Sequence, residues 1–312
     1  MAEKYKDQSN TKKYWIMFII LIALLVFSAL MAMILGIGDN NSIGYNTAII
    51  SIDGEITADQ SSQLFGSQSA ASTDIVNLLK NAQNDPNVKA VILEINSPGG
   101  SPVATDEISQ AVKDLNNHNI TTVAWIREEG ASGAYWIATS SQHIIADRMS
   151  IVGSIGVYGS YIEWYGLMKD YNVTYQRLVS GEYKDTGVPY RPLSSAEEYM
   201  IQSKLDKLHE YFISSVAENR NMSVEDVRKL ATGEIYLGTE AIDNGLIDEL
   251  GGKQQAIDYL EKKLNSTITT KEFSKGKGLL DSLFSAMNQN SFYIGQGIAS
   301  SMLKDTGFKI TT

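Results

Sequence analysis

The chain of 312 residues contains no cysteine and three histidines. The absence of cysteine excludes disulfides, thiolate catalysis and cysteine-based metal sites. The histidines, at His118, His143 and His209, are scattered along the sequence and leave little scope for a histidine-rich metal site. We therefore expect neither a metal ion nor another cofactor in a functional site.

Basic residues are also few, because 26 lysines and arginines stand against 36 aspartates and glutamates, which gives a net charge of −10. The first thirteen residues include four lysines and two acidic residues, so the rest of the chain carries a net charge of −12. Phosphate binding needs clustered lysine and arginine, and an acidic body argues against a nucleic acid partner. At this length the chain has ample material for one large domain or two small ones.

Charge is absent altogether from residues 14–38, which are mostly aliphatic, methionine or aromatic. Such a run is long enough to cross a bilayer as one helix. Lysines precede it and Asp39 is the first charge after it, so the positive-inside rule places the N-terminus in the cytoplasm and the later chain outside. A cleaved signal peptide is the alternative, but its apolar core would be shorter. We expect a cytoplasmic tail at 1–13, a cell-membrane anchor at 14–38 and a linker at 39–46.

The segment 47–266 alternates apolar, β-branched runs with helical patterns. Strands are predicted at Thr47–Ile52, Val88–Ile95 and Ile120–Ile126, and helices at about 72–84, capped by Ser72, and 103–117. This order indicates an α/β fold with right-handed crossovers on a mostly parallel sheet.

The second half of the segment predicts two more strands and a long helix, at His143–Asp147, Val173–Val179 and Ser194–Asn219. Ser194 and Glu197 match a capping box at the start of that helix. The sequence then becomes polar and rich in glycine, so residues 267–312 are predicted to be a C-terminal tail, either amphipathic or disordered.

Ser132 lies between the predicted strand Ile120–Ile126 and a short helical pattern at Ala134–Ser140, with Gly130 and Gly133 close by. This predicts a sharp strand-to-helix turn that projects the hydroxyl above the sheet, beside free N–H groups of the helix start. The arrangement suits a nucleophile with an oxyanion site beside it. The alternative is that Ser132 only caps the helix.

A serine nucleophile needs a base and an oxyanion site. Gly99 and Gly100 follow a central predicted strand, and ligands of open α/β sheets bind at the carboxyl ends of such strands. Their backbone N–H groups and that of Gly133 are therefore candidates to hold a developing oxyanion. None of the three histidines favours a base: one is in a polar loop, one begins a buried-looking strand and one is on a long helix.

Five motifs, in this order, resemble the signal peptide peptidase A family: Asn96–Gly100, Gly130–Tyr135, Gly153–Val157, Ser180–Asp185 and Gly238–Gly252. Order and spacing fit the short, single-unit members, and no internal duplication is visible. The resemblance covers roughly residues 47–264. It implies a membrane-anchored Ser–Lys protease with a ClpP/crotonase-like fold of repeated β-β-α units.

The same resemblance implies a role for each matching residue. Ser132 would be the nucleophile and Lys184 the general base, Ser154 would orient the lysine amine, and Gly99 and Gly133 would supply oxyanion N–H groups. A lysine accepts a proton only when it is neutral, so we expect burial to lower its pKa, with Tyr183, Val188 and residues 153–157 as shielding. The alternatives are an ordinary solvated lysine and a turn serine.

The implied function is cleavage of peptides in or near the membrane, such as remnant signal peptides, through an acyl-enzyme. The resemblance also implies a homo-oligomeric ring, for example an octamer, that admits extended or unfolded chains and shares its sites between subunits. Two alternatives stay open, namely a crotonase-type acyl-CoA enzyme and a catalytically silent membrane scaffold. An extracytoplasmic site counts against the first, because coenzyme A is cytoplasmic.

Overall fold

The computed structural model describes residues 13–28, 44–59 and 69–274. The chain divides into two units, residues 1–44 and 45–312. In the first unit, residues 13–28 form helix α1, whose large apolar side chains are exposed. Within the described ranges, no helix is both long and apolar enough to cross a membrane. The rest of the predicted anchor lies outside the described residues.

The second unit is built on strands that begin where β-branched and aliphatic residues are dense. The described strands are β1 (Thr47–Asp53), β2 (Ile56–Thr57), β3 (Ala70–Ala71), β4 (Ala90–Ser97), β5 (Thr121–Ala131), β6 (His143–Ala146), β7 (Ile151–Gly153), β8 (Ile235–Leu237), β9 (Glu249–Leu250) and β10 (Thr270–Glu272). The three longest, β1, β4 and β5, are buried over most of their length, as expected of strands covered on both faces.

Apart from β2 and β3, these strands form one mostly parallel sheet, whose main order is β10-β1-β4-β5-β6-β9. The far end of β5 also pairs with β7, which pairs with β8 in the sheet's antiparallel contact. Strands β2 and β3 make a separate short parallel pair. The predicted α/β class with a mostly parallel sheet is therefore confirmed.

The helices of the second unit lie between the strands in sequence, and their bounds are α2 (Ser72–Asn84), α3 (Pro102–Asn117), α4 (Gly133–Thr139), α5 (Tyr165–Asp170), α6 (Ser195–Arg220), α7 (Val224–Leu230), α8 (Gly238–Asp243) and α9 (Lys253–Leu264). Alternate side chains of the central strands face opposite sides of the sheet. Leu93 and its neighbours pack into the larger core with α2, α3, α4 and α6, whereas Ile92 and its neighbours pack against Ala256 and Leu260 of α9.

Three sequence predictions are corrected by the structure. Residues 173–179 form no strand, because their apolar side chains, including Leu178, are exposed instead of paired with the sheet. Ser72 does not cap α2, since its hydroxyl donates to the Glu107 carboxylate. The folded region also continues past the predicted boundary at 266, because β10 pairs with β1.

Candidate active site

Ser132 occupies the turn between β5 and α4, as the sequence predicts. Its backbone has φ 52° and ψ −125°, outside the regions that residues with a side chain favour. The turn is held because the Ser132 N–H donates to the Gly153 carbonyl at 2.8 Å and the Ser132 carbonyl accepts from the Trp136 N–H at 3.0 Å. The half-buried side chain makes no capping bond and no other hydrogen bond with a described residue. A capping role for Ser132 is therefore excluded.

Strand pairing places Ser154 next to Ser132. Residues Ala131 and Gly153 are partners in the parallel β5–β7 pairing, so the residue after each lies at the same level beyond the sheet. Ser154 also has a positive φ, 50°, and its N–H donates to the Glu234 carbonyl at 2.8 Å. Both serines line one cavity of about 910 Å³.

Gly99 lies against the nucleophile turn, where a side chain has no room. A Cβ added to Gly99 would lie 2.6 Å from the Gly133 nitrogen and 2.8 Å from the Ser132 Cβ. Its φ of +95° is also one that L residues with a side chain rarely adopt. Glycine is required here because β4 must deliver its backbone to within contact distance of the turn.

The sequence predicts that the backbone N–H groups of Gly99, Gly100 and Gly133 could hold an oxyanion, and in the structure two of these three groups are free. The Gly99 N–H donates to the Ser97 hydroxyl at 3.1 Å, so it is not free for an oxyanion. The N–H groups of Gly100 and Gly133 donate to no described residue, and a Cβ added to Gly133 would lie 3.4 Å from the Gly100 nitrogen. These two N–H groups lie close together and are free to donate to a bound group.

The rest of the cavity wall combines apolar side chains with unpaired polar atoms. The rings of Trp136 and Phe212 stack with centroids 5.0 Å apart, and both line the cavity together with Leu208. Thr105 Oγ1 and His209 Nε2 also belong to lining residues, and both atoms are buried without a partner among the described residues. Buried polar groups are normally paired. The sequence indicated no cavity role for either residue, because only the packing of α3 and α6 over α4 brings them there.

Lys184 lies elsewhere on the surface of this chain. It is exposed, it does not line the cavity, and its side chain makes no hydrogen bond or ion pair with a described residue. The expected shielding by Tyr183 is absent within the chain, because that ring is itself 44% exposed. The structure thus brings Ser132, Ser154 and the glycines together but does not bring Lys184 to them within one chain.

Other polar groups near the turn are structural. The fully buried Tyr135 hydroxyl on α4 donates to the Leu246 carbonyl at 2.8 Å, and burial raises the pKa of this phenol. His143 stacks on Tyr259 with ring centroids 3.9 Å apart, and His118 lies in an exposed position at the end of α3. Tyr135 thus fixes α4 below Ser132, and neither of these histidines lines the cavity.

Comparisons with known proteins show the family to which the chain belongs. The model of Peptidase family S49 matches residues 114–267, which include both Ser132 and Lys184. A protein of Methanocaldococcus jannaschii named as a protease is 33% identical over 290 residues, which cover 91% of this chain and 90% of the relative. This chain belongs to peptidase family S49, the SppA family. It is therefore a protease.

Two further relatives carry more specific names. One is a protein of Enterococcus faecium named as the signal peptide peptidase SppA. It is 34% identical to this S49 peptidase, and the match covers 71% of this chain and 64% of the relative. Protease 4 of Haemophilus influenzae is 31% identical over 72% of this chain. The match spans only 35% of that relative's length.

Proposed function

We propose that this S49 peptidase is a serine endopeptidase with Ser132 as nucleophile and Lys184 as general base. The observation that carries the proposal is the strained turn, which presents an unbonded Ser132 hydroxyl to the cavity beside the free N–H groups of Gly100 and Gly133. A mostly parallel sheet with helices on both faces supports the ClpP/crotonase-like fold that belongs to this proposal.

In the proposed reaction, the Ser132 oxygen forms a bond to the scissile carbonyl carbon while its proton passes to the neutral Lys184 amine. The carbonyl oxygen becomes an anion, and the two glycine N–H groups donate to it. The C–N bond then breaks, and the departing amine takes the proton from Lys184. Water hydrolyses the acyl ester by the same route, with Lys184 again accepting the proton.

Lys184 reaches the reaction from a neighbouring subunit in this proposal. The exposure of Lys184 supports this, because a base that does not line the cavity of its own chain can act only in the cavity of another subunit. Exposed apolar side chains that precede Lys184 in the sequence support a subunit contact, with Tyr171 74% exposed and Leu178 95% exposed. Apolar patches of this kind mark interaction surfaces. A homo-oligomeric ring follows if each subunit meets the next in the same way.

The proposed location is the cell membrane, with the catalytic domain outside the cytoplasm. The exposed apolar side chains of α1 and the uncharged sequence through residue 38 support a single-pass anchor. The proposed substrates are peptides in or near the bilayer, such as remnant signal peptides. The apolar cavity wall of Trp136, Leu208 and Phe212 supports a substrate with apolar side chains.

Labelling with a serine-reactive fluorophosphonate tests the proposal and separates a protease from a silent scaffold. We expect one labelled residue, Ser132, and no labelling of Ser132→Ala. Lys184→Ala should label about 10²- to 10⁴-fold more slowly, the usual contribution of a general base. Ser203→Ala, a hydroxyl on α6 that bonds to the Met200 carbonyl, is the control and should label normally. Normal labelling of either active-site variant would contradict the proposed pair.

A further inference from the structure

A group of four charged side chains surrounds the backbone next to Lys184. Both Arg177 and Arg191 make two contacts with the Asp185 carboxylate, Arg177 at 2.7 and 2.8 Å and Arg191 at 3.0 and 3.1 Å. Arg191 also makes two contacts with Glu197, at 2.6 and 2.9 Å. We call Arg177, Asp185, Arg191 and Glu197 the ion-pair cluster. Arg191 is its centre, because it alone joins both carboxylates.

The cluster is more buried than an ordinary surface ion pair. The side chains of Asp185 and Glu197 are 8% and 3% exposed, and that of Arg191 is 19% exposed. The adjacent guanidinium groups hold the pKa of Asp185 and of Glu197 well below the usual range of carboxyl groups. Buried ion pairs are costly to desolvate and contribute little net stability, whereas removal of one partner strongly destabilises. Fold stability alone is thus a weak reason for this arrangement.

The cluster fixes the chain on both sides of Lys184. On one side, Arg177 donates to the Glu182 carbonyl at 2.9 Å. On the other side, Asp185 is held by both arginines, and the Thr186 hydroxyl donates to Glu197 at 2.9 Å. Residues 180–187 form turns without a helix or strand. These side-chain contacts therefore fix the backbone here, as regular backbone hydrogen bonds do in helices and strands.

Glu197 also connects the cluster to the helix that covers the cavity. Its carboxylate accepts from the Ser194 N–H at 2.9 Å, and its own N–H donates to the Ser194 hydroxyl, which completes the capping box of α6. Further along α6, Phe212 stacks on Trp136 of α4, the helix that starts directly after Ser132. Helix α6 therefore holds the turn that carries Lys184 at its first residues and lines the cavity further along.

We propose that Arg191 is a positioning residue for Lys184. It holds Asp185 and Glu197 together, and so fixes the direction in which the exposed Lys184 side chain projects from the surface. This inference rests on the proposed function, in which Lys184 is the base that meets a neighbouring Ser132. An error of about 1 Å in the position of a catalytic group can cost about 100-fold in rate, so a fixed loop is needed.

Arg191→Lys is the variant that tests the proposal. It keeps the positive charge but lacks the planar fork that contacts two carboxylates at once. We expect kcat to fall about 10- to 100-fold, with KM within about threefold of the original value, because the substrate cavity is untouched. Hydrogen exchange should become faster at residues 180–188 and stay unchanged in α4. The matched control is Arg228→Lys, which alters an exposed two-contact pair with Glu210 and should keep normal kcat.

A second comparison separates positioning from a general loss of structure. In a Lys184→Ala background, Arg191→Lys should cause no further loss of fluorophosphonate labelling, because a positioning residue acts only through the group that it positions. A further loss in that background would overturn the proposal, and so would normal kcat in Arg191→Lys. If Arg191→Lys fails to fold, Arg177→Lys takes its place, because that side chain is 40% exposed and, among the described residues, donates hydrogen bonds to Asp185 and Glu182 alone.

The proposed function and this inference fail in distinguishable ways. If Lys184→Ala itself turns over peptide normally, then Lys184 is not the base and the proposed function is wrong. If Lys184→Ala is inactive while Arg191→Lys and Arg177→Lys are as active as the original protein, only the positioning role is wrong.

Discussion

Two serines at the site, Ser132 and Ser154, have positive φ angles that are uncommon for residues with a side chain. Such conformations cost about 1–3 kcal/mol each and persist only where the surroundings enforce them. Here the enforcing contacts are backbone hydrogen bonds to Gly153 and Glu234, which fix both residues at the end of the β5–β7 pairing. The Ser132 hydroxyl therefore reaches the cavity without reorganisation, which favours a nucleophile over a residue that only shapes a turn.

The proposed base predicts how activity depends on pH. An ammonium group cannot accept a proton, so cleavage by a lysine base should rise through alkaline pH as the amine becomes neutral. The measurement is kcat/KM for a peptide substrate between pH 6 and 11.

His209 is the residue that could overturn this expectation, because it lines the cavity and its Nε2 is buried without a described partner. A histidine base would give activity that turns on near about pH 6.5. His209→Gln keeps a polar side chain of similar length. We expect it to leave the alkaline rise in place. Loss of activity in His209→Gln together with an acidic profile in the original protein would mean that histidine is the base.

Gly99→Ala should inactivate the protein through contact with the nucleophile turn. The added Cβ would press on backbone atoms of Ala131 and Gly133, which cannot move without displacing the Ser132 turn and the proposed oxyanion donor. We expect fluorophosphonate labelling to fall at least about 10-fold, as expected from a displacement of this size. Gly166→Ala is the control, because nothing lies within 4 Å of a Cβ there. Equal labelling of the two variants would show that the close approach of Gly99 is not required.

At the scale of elements, β10 adds a described strand beyond residue 266. It pairs in parallel with β1 through Thr270, Lys271 and Glu272, and Phe273 packs on Tyr45 with ring centroids 6.1 Å apart. A chain that ends at residue 274 keeps β10 and serves as the reference. One that ends at 266 should lose at least about 2 kcal/mol, from the lost apolar burial and backbone hydrogen bonds. Thermal unfolding of both checks this, and equal stability would show that β10 contributes nothing.

The central elements could be predicted because their signals are local. Strands β1, β4 and β5 have long β-branched runs. The capping box of α6 is recognised from two residues three positions apart, Ser194 and Glu197. Strand β10 has only three residues and depends on β1, more than two hundred positions away, so no local pattern reveals it. Residues 173–179 have a strand-like pattern, but their apolar side chains face outward in the single chain.

In the candidate site, too, residues with a local sequence pattern could be predicted, and those that depend on distant contacts could not. Ser132 and the glycines could be predicted because a strand-to-helix turn is itself a sequence pattern. The place of Lys184 could not be predicted, since its loop is held by ion pairs between residues that are separated along the chain. The role of the Gly99 N–H was also beyond the sequence, because it depends on the orientation of the Ser97 hydroxyl.

At the scale of the whole molecule, a single chain has an almost complete site and an exposed lysine that does not reach it. Within the described residues, the cavity is lined by Ser132, Ser154, Gly100 and Gly133, to which the proposed function gives the nucleophile and the oxyanion donors. The chain leading to the Lys184 turn also exposes Tyr171 and Leu178. Contact of that segment with a second copy would cover its apolar area and would also place the lysine at the cavity of the other subunit. For this reason we favour a shared site over a rearrangement within one chain.

Mixing of inactive subunits tests the shared site directly. Ser132→Ala and Lys184→Ala subunits, each inactive alone, are co-expressed in equal amounts with different affinity tags and purified through both. In a ring each interface joins Ser132 of one subunit to Lys184 of the next, so random mixing restores about one interface in four. Activity near that fraction supports sharing. The control mixes the double variant with Lys184→Ala and should stay inactive. No recovery in rings shown to contain both tags would place Ser132 and Lys184 of the working pair in the same subunit.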